Sequence, residues 1–314
     1  MSIIKDLSEL KKPLENPVLT IGNFDGVHKG HLALFSKVQE IASDINGNSI
    51  VMTFDPHPIK VLSNGNGPPL ITPIQQKLRL IKQAGIDIIL CLPFTKEFAT
   101  ISAEDFVSHI LVKKIGVKYI IVGYDYTFGR NRYGNIDFLK KMGNRFGFNV
   151  IVVGPVSING IIVSSTRIRN LVQEGNLEQA KILLGRNYQV CGTVVKGKNR
   201  GARLLGFPTA NLKLIDELTP KIGVYAVKVI IDNNVYNGVA NIGHNPTFGN
   251  GAFSVETHII GFNGDLLGKE IRVEFIKRLR DEKKFDNPED LAKQISRDIE
   301  DAKKILDKGE WDAF

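Results

Sequence analysis

Four short segments carry residues whose types and spacing suit phosphate chemistry, and each follows an apolar run that reads as a strand. The first is LTIGNFDGVHKGHLALF. Gly22, Gly26 and Gly30 let the backbone approach a ligand closely, and a helix opening near His31 offers free N–H groups to a phosphate. His28 and His31, three apart, can converge on one anion. The same pair could instead cap the helix, or be two ligands of a metal lacking the others. The second segment, VMTFDPHPIKVL, holds the rigid turn Asp55-Pro56-His57-Pro58. The third, VGYDYTFGRNRYGN, offers rings to stack on a planar group and two guanidinium groups, Arg130 and Arg132, for phosphates. The fourth, VSSTRIRN, places Ser164, Ser165 and Thr166 at a helix start that bears Arg167 and Arg169. A structural turn and core aromatics remain the alternatives for the middle two.

The second half has its own candidates. GARLLGFPTANL makes a glycine-rich approach to Pro208-Thr209-Ala210-Asn211. Thr209 and Asn211, two apart in an extended segment, point the same way and can share a Mg²⁺–phosphate cluster, with an ordinary hydroxyl turn as the alternative. In the run Phe253–Ile260, alternation sets Phe253, Val255, Thr257 and Ile259 on one face and Ser254, Glu256 and His258 on the other. Glu256 then faces either a cavity, as a general base, or solvent.

Those residues need elements to hold them. Over the first 184 residues, strand patterns at Val18–Gly22, Ser49–Phe54, Ile86–Leu92, Tyr119–Gly123, Asn149–Val153 and Ile161–Ser164 alternate with helical ones. The helices are expected at His31–Ser43, Pro73–Ala84, Ala103–Ile115 and Ile136–Phe146, with Ser102 capping the third. Alternation of this kind predicts a doubly wound parallel sheet whose ligands gather beyond the carboxyl ends of its strands. After about Gly185 the period changes. Strands at Tyr188–Lys196, Val224–Ile231, Val235–Asn241, Phe253–Ile260 and Ile271–Leu279 are joined by Asp232-Asn233-Asn234 and by an Asn263-Gly264 hairpin signal. A long helix opened by Asn287-Pro288 follows, with Leu291, Ile295, Ile299, Ala302 and Ile305 on one face. The expected fold is therefore α/β over residues 1–184, then a small β-barrel with a long C-terminal helix over 185–314.

Composition narrows the classes further. The chain has 314 residues, 43% of them hydrophobic and 24% charged, which fits folded domains and not collagen, coiled coil or disorder. The net charge of +8 admits nucleic acid, an anionic membrane or phosphorylated small ligands as partners. Its basic residues are dispersed and no recognition helix or RNA-binding signature is present, which argues against nucleic acid. The N-terminus lacks an apolar targeting core, and Gly154-Pro155 and Asn159-Gly160 break the longest uncharged stretch, so no membrane partner is expected. Two cysteines, Cys91 and Cys191, make no disulfide scaffold; both are expected to be buried, inert thiols in a cytoplasmic protein.

Taken together the segments resemble a known family. Gly22-Asn-Phe-Asp-Gly-Val-His-Lys-Gly-His31 resembles the nucleotidyltransferase signature GxFDGxHxGH, and with TFDPHP, GYDYTFG and SSTRIR it is similar to the adenylyltransferase half of bacterial bifunctional FAD synthetases. GFPTAN, GVYAV, NIGHNPTF, VETHI and KRLRDEKKF resemble the riboflavin kinase half of that family. The resemblance implies phosphorylation of riboflavin to FMN and adenylylation of FMN to FAD, with ATP and Mg²⁺ used in both steps and pyrophosphate released in the second. It implies that His28, His31 and Arg167, with Gly22, Phe24, Asp25, Gly26, Gly30, Ser164, Ser165 and Thr166, bind and steady the triphosphate. It further implies flavin contacts at Asp55, Pro56, Pro58, Tyr126, Phe128 and Arg280. In the kinase it implies phosphate contacts at Gly206, Mg²⁺ on Thr209 and Asn211, and Glu256 as the base. A monomer or weak oligomer with small-molecule partners is expected. Two positions depart from the pattern: Tyr126, where Phe is common, and Ala202, where Gly is common. A single-activity enzyme with one redundant half, and a nucleic-acid-binding module, are the rival readings.

Overall fold

The computed structural model describes residues 2–10, 13–196, 207–214, 217–244 and 253–307. Gly206 and Ala202 lie outside the described residues. The chain divides into two compact units, Met1–Pro69 with Ile74–Ser164, and Leu70–Pro73 with Ser165–Phe314.

The first unit is built on a six-stranded sheet in the order β1-β4-β3-β2-β5-β6. Its strands are β1 (Ser2–Ile4), β2 (Val18–Ile21), β3 (Ser49–Asp55), β4 (Ile88–Pro93), β5 (Tyr119–Gly123) and β6 (Asn149–Val153), and every pair is parallel. Parallel strands are covered on both faces, so β3 and β4 are near-continuous apolar runs. Alternate residues serve opposite layers. Leu19, Ile50, Leu90 and Ile120 share a core with Phe106, Leu111, Leu139 and Met142. Val18, Val51, Ile89 and Ile121 share the other with Phe35, Val38, Leu78 and Ile81. Helices α1 (Lys29–Asp44) and α3 (Ile74–Gln83) thus cover one face. Helices α5 (Ala103–Asp105, continued by a π-helical run Phe106–Ile115) and α6 (Ile136–Phe146) cover the other. Ser102 caps α5 as expected, its Oγ accepting the Asp105 N–H at 3.0 Å.

One expected strand in this unit needs correction, the third helix differs in its turn, and three short elements were not expected. Residues 161–164 do not join the sheet: only Ile161–Ile162 (β8) is extended, paired with Ser157–Ile158 (β7). Between them Asn159 and Gly160 both take positive φ, 51° and 76°, the turn that folds a hairpin back at once. The run 106–115 is π-helical, a wider turn that brings Phe106 and Leu111, five apart, onto one buried face. The edge strand β1 and the short helices α2 (Pro58–Leu62) and α4 (Lys96–Ala99) are too brief to show a period.

The second unit begins with α7 (Ser165–Glu174) and α8 (Leu177–Leu184). A closed barrel follows, from β9 (Tyr188–Val195), β10 (Ala210–Lys213), β11 (Gly223–Ile231), β12 (Asn234–His244), β13 (Phe253–Ile259) and β14 (Glu270–Arg280), in the order β10-β13-β12-β11-β14-β9. The expected turn at Asp232-Asn233-Asn234 is formed, with Asp232 and Asn233 at φ 50° and 69° as a two-residue hairpin and Asn234 already in β12. The Asn263-Gly264 hairpin is not formed. β13 pairs with β12 and β10, and β14 with β11 and β9, so the connection crosses between non-neighbouring strands. Inward residues such as Val227, Ile242, Val255 and Val273 fill the barrel. Val224, Ala226 and Val239 on its outside receive Ala302 and Leu306 of α9 (Pro288–Leu306). Among the described residues, no helix is long and apolar enough to cross a membrane.

Both cysteines are free, but only Cys91 is buried. Cys191 is half-buried and its Sγ–H donates to Glu270 at 3.2 Å. The Cys191 N–H donates to both oxygens of Glu217, whose carboxyl is buried. Burial, reinforced by Glu270, pushes the Glu217 pKa up from the usual 4.5 to about 8. The folded chain then keeps this proton where the unfolded chain has lost it. Between the ordinary carboxylate pKa and about 8 the folded state binds more protons, so stability falls as pH rises through that window. Glu217→Gln should flatten the fall, and melting temperatures of both chains from pH 5 to 8.5 check it; parallel pH slopes would contradict it.

Candidate active sites

In the first unit the loops after β3, β2 and β5 leave adjacent strands on one edge of the sheet. From β2 the chain proceeds to β3 on one side, while β5 lies on the other, so the loop after β2 stands at the switch point where such sheets bind ligands. That loop is held in an uncommon shape. Phe24, Gly26 and Val27 have φ of 50°, 92° and 38°, and Val27 is β-branched. Each such non-glycine residue costs on the order of 1–3 kcal/mol and persists only where its surroundings over-determine it. Those surroundings are visible: Phe24, Asp25, Val27 and His28 are all buried. A Cβ on Gly22 would come within 2.9 Å of the Phe24 ring.

The loop ends in a reciprocal cap. The His31 N–H donates to His28 Nδ1 at 3.3 Å, and the His28 N–H donates to His31 Nδ1 at 3.4 Å. The rings stack with centroids 3.5 Å apart. A ring nitrogen that accepts carries no proton, so each neutral imidazole holds its proton on Nε2 as a donor. The helix-capping alternative and the anion-binding one are therefore compatible: Nδ1 caps and Nε2 donates. Gly30 permits the stack, because a Cβ there would meet the His28 ring at 3.1 Å; the carbonyl of Val163, just before Ser164, lies 3.6 Å from the same point.

The other first-unit candidates divide. Asp55, the last residue of β3, and Pro56 after it are exposed, His57 Nδ1 accepts the Ile59 N–H at 3.2 Å, and Pro58 opens α2. Phe128 is core, packed on Phe106 and Phe138. Tyr126, half-buried, stacks on Phe128 at 5.4 Å, and burial pushes its phenol pKa well above the usual range. Arg132 donates to the Thr127 hydroxyl at 2.9 Å. In the second unit Ser165, Thr166 and Arg167 form the first turn of α7, with Thr166 and Arg167 exposed.

In the barrel, Asn211 of β10 lies opposite Glu256 of β13, and Glu256 lies opposite Asn241 of β12. Directly paired residues share a face. Their alternates Leu212, Val255 and Ile242 are buried inside, so Asn211, Glu256 and Asn241 form one polar row outside. Glu256 is only half-buried there, and Asn211 is buried with an amide oxygen that has no hydrogen-bond partner among the described residues. The row continues through Val224 to Arg280, which is turned away: its Nε and Nη2 hold Asp298 of α9 at 2.9 and 2.7 Å. Thr209, half-buried, precedes β10. His258 Nδ1–H donates to the Pro208 carbonyl at 2.9 Å and fixes the chain leading to it.

The chain matches the family model described as FAD synthetase over residues 10–167 and that described as riboflavin kinase over residues 184–306. It belongs to the bifunctional riboflavin kinase/FMN adenylyltransferase family. Proteins so named from Buchnera aphidicola of Acyrthosiphon pisum and from Escherichia coli K12 are 40% and 38% identical to it. In both comparisons the match covers 95% of this chain and 96% of the relative. A crystal structure described as a macrolide-efflux protein from Streptococcus pneumoniae is 34% identical, with a TM-score of 0.84, over 96% of this chain and 98% of that one. The description is the pneumococcal protein's own.

Two site residues escape the sequence reading. Asn241 sits in the NIGH segment, where strand alternation alone aims it beside Glu256. Lys77 is buried beneath the loops after β2 and β3, and its signal was a charge on the apolar stripe of α3. Gly30→Ala isolates the histidine stack. It adds helix propensity at the second residue of α1 while pushing the His28 ring, so FAD formation from FMN should fall about tenfold or more with no loss of thermal stability. Unchanged FAD formation would show that the stack is not needed.

Proposed function

We infer that this chain carries both activities of its family, phosphorylating riboflavin to FMN and adenylylating FMN to FAD. The observation that carries the reading is the full-length match, with both family models in order along one chain. We assign the two chemistries to residues 1–184 and 185–314.

In the kinase, Glu256 accepts the proton of the ribityl hydroxyl as its oxygen attacks the γ-phosphorus of ATP and ADP leaves. The polar row supports this, since Glu256 stands between two amides rather than in open solvent. Thr209 and Asn211 would hold Mg²⁺. The buried amide oxygen of Asn211, without a hydrogen-bond partner among the described residues, suits a hard cation, which when bound would neutralise charge on the phosphates. Gly206 is assigned to the same phosphates.

In the adenylyltransferase, a phosphate oxygen of FMN attacks the α-phosphorus of ATP and pyrophosphate departs. That nucleophile is already anionic, so the chain needs alignment and charge stabilisation rather than a strong base. The Nε2–H donors of His28 and His31 supply it, with Ser164, Ser165, Thr166 and Arg167 as further phosphate ligands. Gly22, Phe24, Asp25, Gly26 and Gly30 shape the loop that receives ATP. Asp55, Pro56, Pro58 and Tyr126 would line the flavin, with Phe128 backing Tyr126; Arg280 would reach flavin only by leaving Asp298. The two free cysteines suit a reducing cytosol.

Paired variants test the assignment. His28→Ala with His31→Ala should abolish most FAD formation from FMN while FMN formation from riboflavin persists. Conversely, Glu256→Gln keeps size and polarity and should slow riboflavin phosphorylation by roughly 10²–10⁴-fold. Initial rates from each flavin separately decide the matter. Parallel loss of both activities in either variant would refute the division, and a less than tenfold effect of Glu256→Gln would leave that residue a solvent-facing carboxylate.

A further inference from the structure

We propose that Lys77 is a positioning residue for FMN adenylylation, its buried ammonium setting the loop after β2 and the turn after β3 in register with one another. The proposal rests on the adenylyltransferase reading above. Lys77 is 4% exposed, and its Nζ donates to the Asn23 carbonyl at 3.0 Å and to the Phe54 carbonyl at 3.3 Å. Asn23 lies inside the strained histidine loop, directly before Phe24. Phe54 directly precedes Asp55-Pro56. The hydroxyl of Thr53 donates to the same Asn23 carbonyl at 3.2 Å, so two side chains converge on one loop oxygen.

Burying an ammonium is costly, and an apolar side chain would fill the same space on α3 without that cost. What the ammonium adds is several donors on one atom, able to hold a carbonyl of the loop after β2 and one of β3 at once. Burial disfavours its charge, while Cys91, Asp25 and Asp55 around it favour the charge. The two loops it joins are those assigned to ATP and to flavin, so a shift at Lys77 reaches both substrates.

The test uses the full chain with Lys77→Met, which removes the donors, and Lys77→Gln, which retains a shorter one. Rates of FMN adenylylation are normalised to riboflavin phosphorylation in the same sample, and thermal melting is recorded alongside. Lys77→Met should lower kcat/KM for adenylylation about 10–100-fold and raise KM for both FMN and ATP, with Lys77→Gln intermediate. Adding Thr53→Val to Lys77→Met should cost less than the two separate losses combined, because both residues hold one carbonyl. Normal constants in the variants, whatever the melting temperature, would overturn the proposal. Failure of both variants to fold would also overturn it, in favour of a purely structural lysine. A wild-type chain that makes no FAD from FMN would overturn the adenylyltransferase reading itself, a result distinct from either.

Discussion

A ring nitrogen that accepts a backbone N–H cannot also carry a proton, and the first unit is organised around that constraint. Because His28 and His31 each give Nδ1 to the other's backbone, both neutral rings keep their proton on Nε2 at the start of α1. The cap holds only if the loop before it arrives in one conformation. This is what the buried Phe24 and Val27, the absent side chain at Gly22 and the Lys77 ammonium secure. The parallel sheet supplies the rest by delivering three loops to one edge, around its switch point.

The barrel solves a different chemical problem by simpler means. Strand alternation separates an apolar inside from a polar outside, and register across three strands assembles Asn211, Glu256 and Asn241. A ribityl hydroxyl must lose a proton as it attacks, so a carboxylate among amides is useful there. A phosphate nucleophile has no such need, and the first unit accordingly offers donors and a helix N-terminus. Under the assignment proposed above, the difference in nucleophile accounts for the difference in side chains between the two sites.

Much of this was legible in the sequence, for identifiable reasons. Strands such as Tyr119–Gly123 inside the sheet and Asn149–Val153 at its edge declare themselves by continuous apolar runs, and Ile136–Phe146 by its helical period. The Asp232-Asn233 turn was readable because both residues tolerate positive φ. Asn263-Gly264 has the same chemistry and misleads, because strand pairing there is decided by barrel closure and not by the local turn. The histidine cap was legible only as one alternative, since it depends on ring nitrogens folding back onto the chain. The partner of Arg280, Asp298, lies eighteen residues away on α9, and no local pattern pairs the two. Lys77 could be recognised only as an anomaly in an apolar stripe; the carbonyls it binds belong to a loop and a strand brought together by the fold.

The central claim is that one chain performs two distinct transfers, of the γ-phosphoryl group to riboflavin and then of the adenylyl group to FMN. The most direct measurement incubates the purified chain with riboflavin and Mg²⁺, using ATP labelled at either the α- or the γ-phosphorus, and separates the flavins over time. The account predicts γ-label in FMN and FAD, α-label in FAD alone, and FMN appearing before FAD. Label confined to FMN, or no transfer to riboflavin while supplied FMN is adenylylated, would contradict it.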